Sequence, residues 1–319
     1  MRAFIFPGQG SQTVGMGAAL ADASAVAREV FGEVDEALGQ NLRRLMAEGP
    51  ADDLTLTENA QPAIMANAIA TLRVLTQEGG VVLADKADYV AGHSLGEYSA
   101  LCAAETFDLA TTARLLKRRG QAMQAAVPVG EGAMAALLGA DVAKAETIAG
   151  AAVDSILAEG GEPLVCTVAN DNDPSQVVIS GHRVAVERAV ALAKELGAKR
   201  AVLLPVSAPF HCSLMEDAAR AMEAALAEAE LRAPLVPVFA NVDAAAVADP
   251  GAIRRLLVEQ VTGRVRWRES VLAMAAAGVT EFVEFGGKVL APMVKRIAPD
   301  VEAVSVVSMN DVEALLKGM

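Results

Sequence analysis

The sequence predicts an α/β protein in which a large domain built on a parallel sheet is interrupted by a smaller inserted domain. Short apolar runs typical of buried strands alternate with longer runs of helical periodicity. In the middle of the chain this order changes, between boundaries that contain glycine and proline. The length of 319 residues, 53% of them hydrophobic, suits one large domain with an insertion.

The first part of the large domain begins with a predicted strand at 2–6, followed by the loop Gly8-Gln9-Gly10-Ser11-Gln12. Helical segments then run to about Arg73. A second buried strand at 89–92 leads into a turn and then into a helix at 97–105. Helical periodicity returns over 113–127.

The inserted segment has the order βαββαβ, which is that of a ferredoxin-like domain. Its predicted elements are a strand at 133–138, a helix at 142–158, strands at 164–168 and 176–180, a helix at 184–196 and a strand at 201–206. We therefore assign 129–206 to a ferredoxin-like subdomain, and 1–128 with 207–319 to the large domain. The second part of the large domain has predicted strands at 236–240 and 281–285 and helices at 252–260 and 271–277.

Composition excludes several classes of function. A net charge of -13, from 27 basic and 40 acidic residues, argues against nucleic acid as the main partner. No apolar stretch is long enough to span a bilayer, and Phe4-Ile5-Phe6 ends at Pro7, too short for an export signal. The three separated cysteines form no Cys-x-x-Cys pair, so neither a zinc site nor a disulfide framework is indicated. These features predict a cytoplasmic protein without a bound metal.

Residues Gly92-His93-Ser94-Leu95-Gly96 match the pattern Gly-x-Ser-x-Gly between a strand and a helix. In α/β-hydrolase folds this turn presents a nucleophilic serine, and the N–H groups that open the helix point at the oxyanion that forms. The large domain is therefore expected to be α/β-hydrolase-like, with Ser94 as the nucleophile. The alternative is an accidental match in a chain rich in glycine and alanine.

A serine nucleophile needs a base, and the sequence has three histidines. His93 adjoins Ser94 on the turn, where successive side chains diverge, and His182 begins a helix of the insertion. His211 lies in a proline-containing loop just after a strand, where catalytic residues of α/β proteins collect. A capping box is predicted just beyond it, at 213–216, and the adjacent helix N-terminus would keep the imidazole neutral. His211 is thus the candidate base; the alternative is a structural histidine.

Arg119 falls within the apolar stripe of its predicted helix. A guanidinium there stays charged and needs an anionic partner or a route to solvent. The partner is either an internal carboxylate or the carboxylate of a substrate, which arginine can hold by two hydrogen bonds. The N-terminal glycine loop fails the spacing of nucleotide-binding loops, and its better use is to supply a backbone N–H to the oxyanion.

Six motifs together resemble the malonyl-CoA:acyl carrier protein transacylases of fatty acid synthesis, over nearly the whole chain. The motifs are Phe6-Pro7-Gly8-Gln9-Gly10-Ser11-Gln12, Gly92-His93-Ser94-Leu95-Gly96-Glu97-Tyr98-Ser99, Arg118-Arg119-Gly120, Gln176-Val177-Val178-Ile179-Ser180-Gly181, Pro209-Phe210-His211-Cys212 and Gly287-Lys288-Val289-Leu290.

The resemblance implies that Ser94 is the nucleophile, His211 its base and Arg119 the group that binds the malonyl carboxylate. It also implies roles for further residues: oxyanion-hole N–H groups from Gln9 and Leu95, a main-chain carbonyl of Gln260 that orients the histidine, and cleft lining by Asn170 and Asn172. Phe210 is expected at most to disfavour branched acyl groups. Gly263-Arg264 stands where the family often has Asn-Pro.

The implied reaction is a ping-pong transfer of malonyl from malonyl-CoA to the phosphopantetheine thiol of an acyl carrier protein, without a metal or redox cofactor. We expect a monomer whose local basic patch receives the acidic carrier. The candidate basic residues are Arg114, Lys117, Arg118 and Arg119, then Arg264, Arg266 and Arg268, then Lys295 and Arg296. The alternatives are a serine esterase or thioesterase, a malonyltransferase of a polyketide pathway, and a non-catalytic acyl-CoA or carrier-binding module.

Overall fold

The computed structural model describes all 319 residues, which form an α/β structure with two sheets. The strands are β1 (Arg2–Phe6), β2 (Tyr89–Gly92), β3 (Gly132–Leu138), β4 (Cys166–Asp173), β5 (Gln176–His182), β6 (Arg200–Leu203), β7 (Val238–Ala240), β8 (Ala245–Val247), β9 (Glu281–Phe285) and β10 (Glu302–Val306).

The helices surround these sheets. They are α1 (Ala18–Ala23), α2 (Ala25–Leu38), α3 (Leu42–Glu48), α4 (Ala51–Thr55), α5 (Thr57–Arg73), α6 (Leu83–Lys86), α7 (Gly96–Ala103), α8 (Leu109–Ala125), α9 (Val142–Ala158), α10 (Arg183–Leu192), α11 (Glu216–Glu228), α12 (Pro250–Thr262), α13 (Trp267–Ala276), α14 (Leu290–Ile297) and α15 (Met309–Gly318). A π-helical turn at Val74–Glu78 and a 3₁₀ turn at Ser213–Met215 complete the set.

The larger sheet has the order β10-β9-β1-β2-β7-β8, parallel except for β8, which returns antiparallel to β7. Helices cover both faces of its centre, so the apolar run of β1 is buried on both sides. Phe4 and Phe6 pack into the main hydrophobic core, whereas Ala3 and Ile5 pack into a second core on the opposite face. This sheet confirms the prediction of an α/β protein with a parallel sheet.

The smaller sheet is antiparallel, with the order β4-β5-β3-β6. Alternate residues of β3, such as Ala135 and Leu137, pack beneath α9 and α10, while Met134 and Ala136 join the core of the larger part. The predicted strand at 164–168 instead spans Cys166–Asp173. The predicted strand ends before the polar run Asn170-Asp171-Asn172-Asp173, but all four of these residues are buried in the fold.

Strand β4 is also fastened to the larger part. The N–H of Asp171 donates to the Val265 carbonyl at 2.9 Å, and the N–H of Val265 donates to the Ala169 carbonyl at 2.8 Å. The buried carboxylates of Asp171 and Asp173 pair with Arg268 and Arg296, both at 2.8 Å. The alternate residues Asn170 and Asn172 therefore keep a set position in the cleft between the two sheets.

Several C-terminal elements lie outside the sequence prediction: α14, α15, β8 and β10. The helix expected to begin just beyond His211 is α11. The predicted capping box at 213–216 is wrong. Ser213 lies inside the 3₁₀ turn, and the residue that caps α11 is Met215, which makes no side-chain capping bond. No helix of the structure combines the length and apolarity needed to cross a membrane.

Candidate active site

The candidate site lies at the carboxyl edge of the larger sheet, where three neighbouring parallel strands end. Gln9 follows β1, Ser94 follows β2 and Asn241 follows β7. A cleft of about 340 Å³ opens between this edge and the smaller sheet. The carboxyl ends of parallel strands are where α/β proteins bind ligands, because the loops there converge.

Ser94 sits on a tight turn with a φ of 53°, in the left-handed region. A Cβ on Gly92 would lie 1.9 Å from the carbonyl carbon of Gly96, and one on Gly96 would lie 2.2 Å from the Phe6 carbonyl oxygen. Both positions of the Gly-x-Ser-x-Gly pattern therefore require glycine for close backbone approach. The turn brings the Ser94 Oγ to 2.7 Å from His211 Nε2.

The imidazole of His211 is buried, and its Nδ1 lies 2.8 Å from the Gln260 carbonyl oxygen and 3.1 Å from that of Gly263. Carbonyl oxygens only accept, so the proton resides on Nδ1 and the Nε2 lone pair faces Ser94. Burial, and then the charge of Arg119, lower the pKa of His211 to about 3. The ring is neutral as predicted, but desolvation is the main cause, and the capping box expected beyond His211 is not formed.

Arg119 is fully buried and projects from α8 into the same site. Its Nη1 donates to Gln61 Oε1 at 2.9 Å, and its Nη2 donates to Gln260 Oε1 at 2.8 Å and to Ser94 Oγ at 3.2 Å. Its Nε has no hydrogen-bond partner. No carboxylate pairs with the guanidinium, so the internal ion pair that the sequence left open is not formed. Burial lowers the pKa of Arg119, against the opposing effects of Tyr98 and Glu97.

Two glutamine amides, which the sequence analysis did not single out for their side chains, hold the guanidinium. Gln61 also donates to Thr57 Oγ1 at 3.0 Å, and Thr57 donates to the Gln9 side chain at 3.0 Å. Gln260 donates to the Ser94 carbonyl at 3.0 Å. The sequence gives no clear signal for Gln61, because it follows the polar run Thr57-Glu58-Asn59 at the start of α5 and only the fold buries it.

The backbone N–H groups of Gln9 and Leu95 make no hydrogen bond within the protein. Both residues line the cleft beside Ser94. The N–H of Ser94, in contrast, donates to Asn241 Oδ1 at 2.7 Å. Two donors next to the nucleophile thus remain free for an oxyanion.

Asn170, Asn172 and Phe210 all line the cleft, as the resemblance implies. Asn172 Oδ1 lies 2.8 Å from His93 Nε2, so His93 is turned towards the smaller sheet and not towards the Ser94 hydroxyl. The third histidine, His182, accepts a hydrogen bond from the Val165 N–H at 2.8 Å and is not part of the cleft lining.

Glu97, in the first turn of α7, is a buried carboxylate that the sequence analysis did not assign to the site. Its Oε2 accepts from the Asn241 N–H and from Gln260 Nε2, both at 2.9 Å. Burial raises the pKa of Glu97 to about 7. Its place directly after the second glycine of the serine motif is the signal that could have identified it.

Most of the basic residues considered for a docking patch are neutralised within the protein. The pairs are Arg264 with Glu146, Arg266 with Glu269, Arg268 with Asp171, Arg296 with Asp173 and Lys117 with Glu58. Arg119 is buried in the site, and Arg114 and Arg118 are exposed without an ion pair.

Known proteins resemble this chain over nearly its whole length. An acyl transferase domain family matches residues 3–291. A malonyl CoA-acyl carrier protein transacylase from Escherichia coli K12 is 45% identical over 98% of this chain and 97% of its own length. An acyl-carrier-protein S-malonyltransferase from Bartonella henselae superposes with a TM-score of 0.94 at 53% identity, covering 99% of this chain and 98% of its own. A malonyl-transacylase solved with its type II PKS acyl-carrier protein has a TM-score of 0.93 at 38% identity, covering 100% of this chain and 99% of its own.

Proposed function

The chain belongs to the acyl transferase family, among the malonyl-CoA:acyl carrier protein transacylases, and from this premise we propose that it moves malonyl from malonyl-CoA to the phosphopantetheine thiol of an acyl carrier protein. The reaction is a ping-pong exchange through a malonyl ester of Ser94 and supplies extender units for fatty acid synthesis. The observation that carries the proposal is a buried arginine without a carboxylate partner, 3.2 Å from a serine hydroxyl that contacts a neutral imidazole.

In the first half-reaction His211 Nε2 accepts the Ser94 proton while Oγ attacks the thioester carbon. The carbon–sulfur bond breaks, the CoA sulfur takes the proton from the imidazolium, and the malonyl ester remains. In the second half-reaction the carrier thiol gives its proton to His211 and attacks the ester, and the Ser94 oxygen leaves with that proton. Two carbonyl acceptors at Nδ1, with Gln260 the nearer, keep the imidazole in the required tautomer, so no triad aspartate is needed.

The tetrahedral oxyanion is stabilised by the N–H groups of Gln9 and Leu95, whose freedom from internal bonds supports this role. The malonyl carboxylate binds the guanidinium of Arg119. Three of the five N–H hydrogens of Arg119 already donate to Gln61, Ser94 and Gln260, which leaves Nε–H and the second Nη1 hydrogen as donors to the carboxylate. A desolvated charge pair of this kind favours malonyl over acetyl, because an acetyl group would leave the buried cation unpaired.

The remaining assignments extend this proposal. The two-sheet arrangement supports an α/β-hydrolase-like large domain at 1–128 and 207–319 with a ferredoxin-like subdomain at 129–206, because the order β4-β5-β3-β6 is that of a ferredoxin-like sheet. We further propose a cytoplasmic monomer that uses no metal or redox cofactor. We also propose that the acidic carrier docks on cations without internal ion pairs, such as Arg114 and Arg118.

Incubation with malonyl-CoA followed by intact-mass and peptide analysis tests the proposal. We expect one malonyl adduct on Ser94, absent from Ser94→Ala, which moves to the carrier when holo carrier protein is added. An adduct that is lost to water equally fast with and without carrier would identify an esterase or thioesterase instead. Because one structural relative is bound to a polyketide carrier, carriers of both pathways belong in the assay, and faster transfer to the polyketide carrier would reassign the pathway.

A further inference from the structure

Asn241 occupies the carboxyl end of β7, directly beside the turn that carries Ser94. Its side chain bonds both limbs of that turn. Oδ1 accepts from the Ser94 N–H at 2.7 Å, and Nδ2 donates to the Gly92 carbonyl at 2.7 Å. A flipped amide would set oxygen against oxygen and donor against donor, so the two contacts together define one orientation.

The backbone of Asn241 is held as well. Its N–H donates to the buried carboxylate of Glu97, which projects from the helix that the same turn begins. Strand end, turn and helix are therefore joined through one asparagine, which is itself buried. A residue with the φ of Ser94 persists only where its surroundings hold it, and these bonds do so together with the one from Gln260 to the Ser94 carbonyl.

We propose that Asn241 is a positioning residue for the acyl transfer, one that holds the Ser94 turn and selects which of its N–H groups faces the oxyanion. By engaging the N–H of Ser94, it leaves the N–H of Leu95 as the free donor of the turn. Asn241 is not among the residues that line the cleft and makes no contact with the Arg119 guanidinium. Asn241 therefore affects the position of the reacting atoms through the Ser94 turn, and it takes no part in binding the acyl carboxylate.

This inference rests on Ser94 as the proposed nucleophile, and it predicts a loss that does not depend on the acyl group. Asn241→Ala should lower the single-turnover rate of malonyl transfer to Ser94 by about 100-fold, because the turn moves and an oxyanion donor is misplaced. The KM for malonyl-CoA should stay within about threefold, since Arg119 is untouched. The rate of inactivation by a fluorophosphonate, which needs the serine and the oxyanion hole but carries no carboxylate, should fall by the same factor.

Three further variants make the test specific. Arg119→Ala should lower malonyl transfer while leaving the fluorophosphonate rate within about fivefold. Ser24→Ala is the control for a general loss of stability, because it removes a buried N-cap of α2 that lies outside the cleft and leaves the Ser94 turn unchanged. Asn241→Asp keeps an acceptor for Ser94 but sets an oxygen against the Gly92 carbonyl, and it should also lose rate.

Parent-like fluorophosphonate rates in both Asn241 variants would overturn the inference, as would a loss confined to the KM for malonyl-CoA. If neither variant folds, Asn241 is a structural core residue and the inference is equally wrong. The fluorophosphonate arm does not use malonyl-CoA. A parent enzyme that reacts with the probe but forms no malonyl adduct would therefore contradict the proposed function alone.

Discussion

Replacing Arg119 by alanine should convert a malonyl-selective site into one that barely distinguishes malonyl from acetyl. The guanidinium is buried, its three hydrogen bonds go to neutral oxygens, and no carboxylate of the protein pairs with it. A malonyl carboxylate would be its only anionic contact within the site. Truncating one partner of such a desolvated pair costs about 2–5 kcal/mol.

At about 1.4 kcal/mol for each factor of ten, this cost lowers kcat/KM for malonyl transfer to Ser94 by about 30- to 4000-fold. Acetyl has no carboxylate and loses only the contact between Nη2 and the Ser94 oxygen, worth about 1 kcal/mol. The ratio of the two specificity constants should therefore fall by about 5- to 700-fold.

The assay measures kcat/KM with malonyl-CoA and with acetyl-CoA for the parent and for Arg119→Ala, with a holo carrier protein as acceptor. Arg118→Ala is the matched control, because Arg118 is the preceding residue of α8 and is exposed without an ion pair. The control should keep the parent ratio. An Arg119→Ala enzyme that still strongly prefers malonyl would refute the assignment of the carboxylate to this arginine.

Three other outcomes follow from the structure. Gly96→Ala should cost about 2–3 kcal/mol of stability and abolish acylation, because its Cβ would lie 2.2 Å from the Phe6 carbonyl oxygen. The control Gly150→Ala adds a Cβ in open space on α9 and should instead gain about 0.5–1 kcal/mol. Equal urea midpoints for the two variants would contradict this. Folding lowers the pKa of His211, so its contribution to stability is present above pH 6.5 and is lost as pH falls towards 3. In urea titrations at pH 7 and pH 4.5, His211→Gln should therefore lose less stability on acidification than the parent does. Equal losses in the two proteins would argue against this. Folding raises the pKa of Glu97 from 4.5 to about 7, so the cost of its ionisation to the fold grows as pH rises through that interval and is constant above it. Glu97→Gln should therefore gain about 2.5 kcal/mol relative to the parent between pH 5 and pH 8, and an unchanged difference would contradict this.

The sequence was most informative where chemistry constrains a local pattern. The strands at 2–6, 89–92 and 281–285 are predicted to the residue, because each is a short and mainly apolar run of the kind that a central parallel strand needs. The turn at Ser94 could be inferred because its two glycines are required by contacts within a few residues. The prediction for β4 ended too early because its polar residues are paired or placed by groups from the distant segment 265–296.

The amino-acid sequence alone identifies the chemical groups of the site: a serine on a tight turn, a histidine after a strand, and an arginine on an apolar helix face. Periodicity and local backbone geometry are short-range properties, so they are readable along the chain. Their meeting in one site is visible only in the folded chain, where Ser94 Oγ lies 2.7 Å from His211 Nε2 and 3.2 Å from Arg119 Nη2. The roles of Gln61, Glu97 and Asn241 as supports also came from the fold, because a buried polar group is defined by partners that lie tens to hundreds of residues away in the chain.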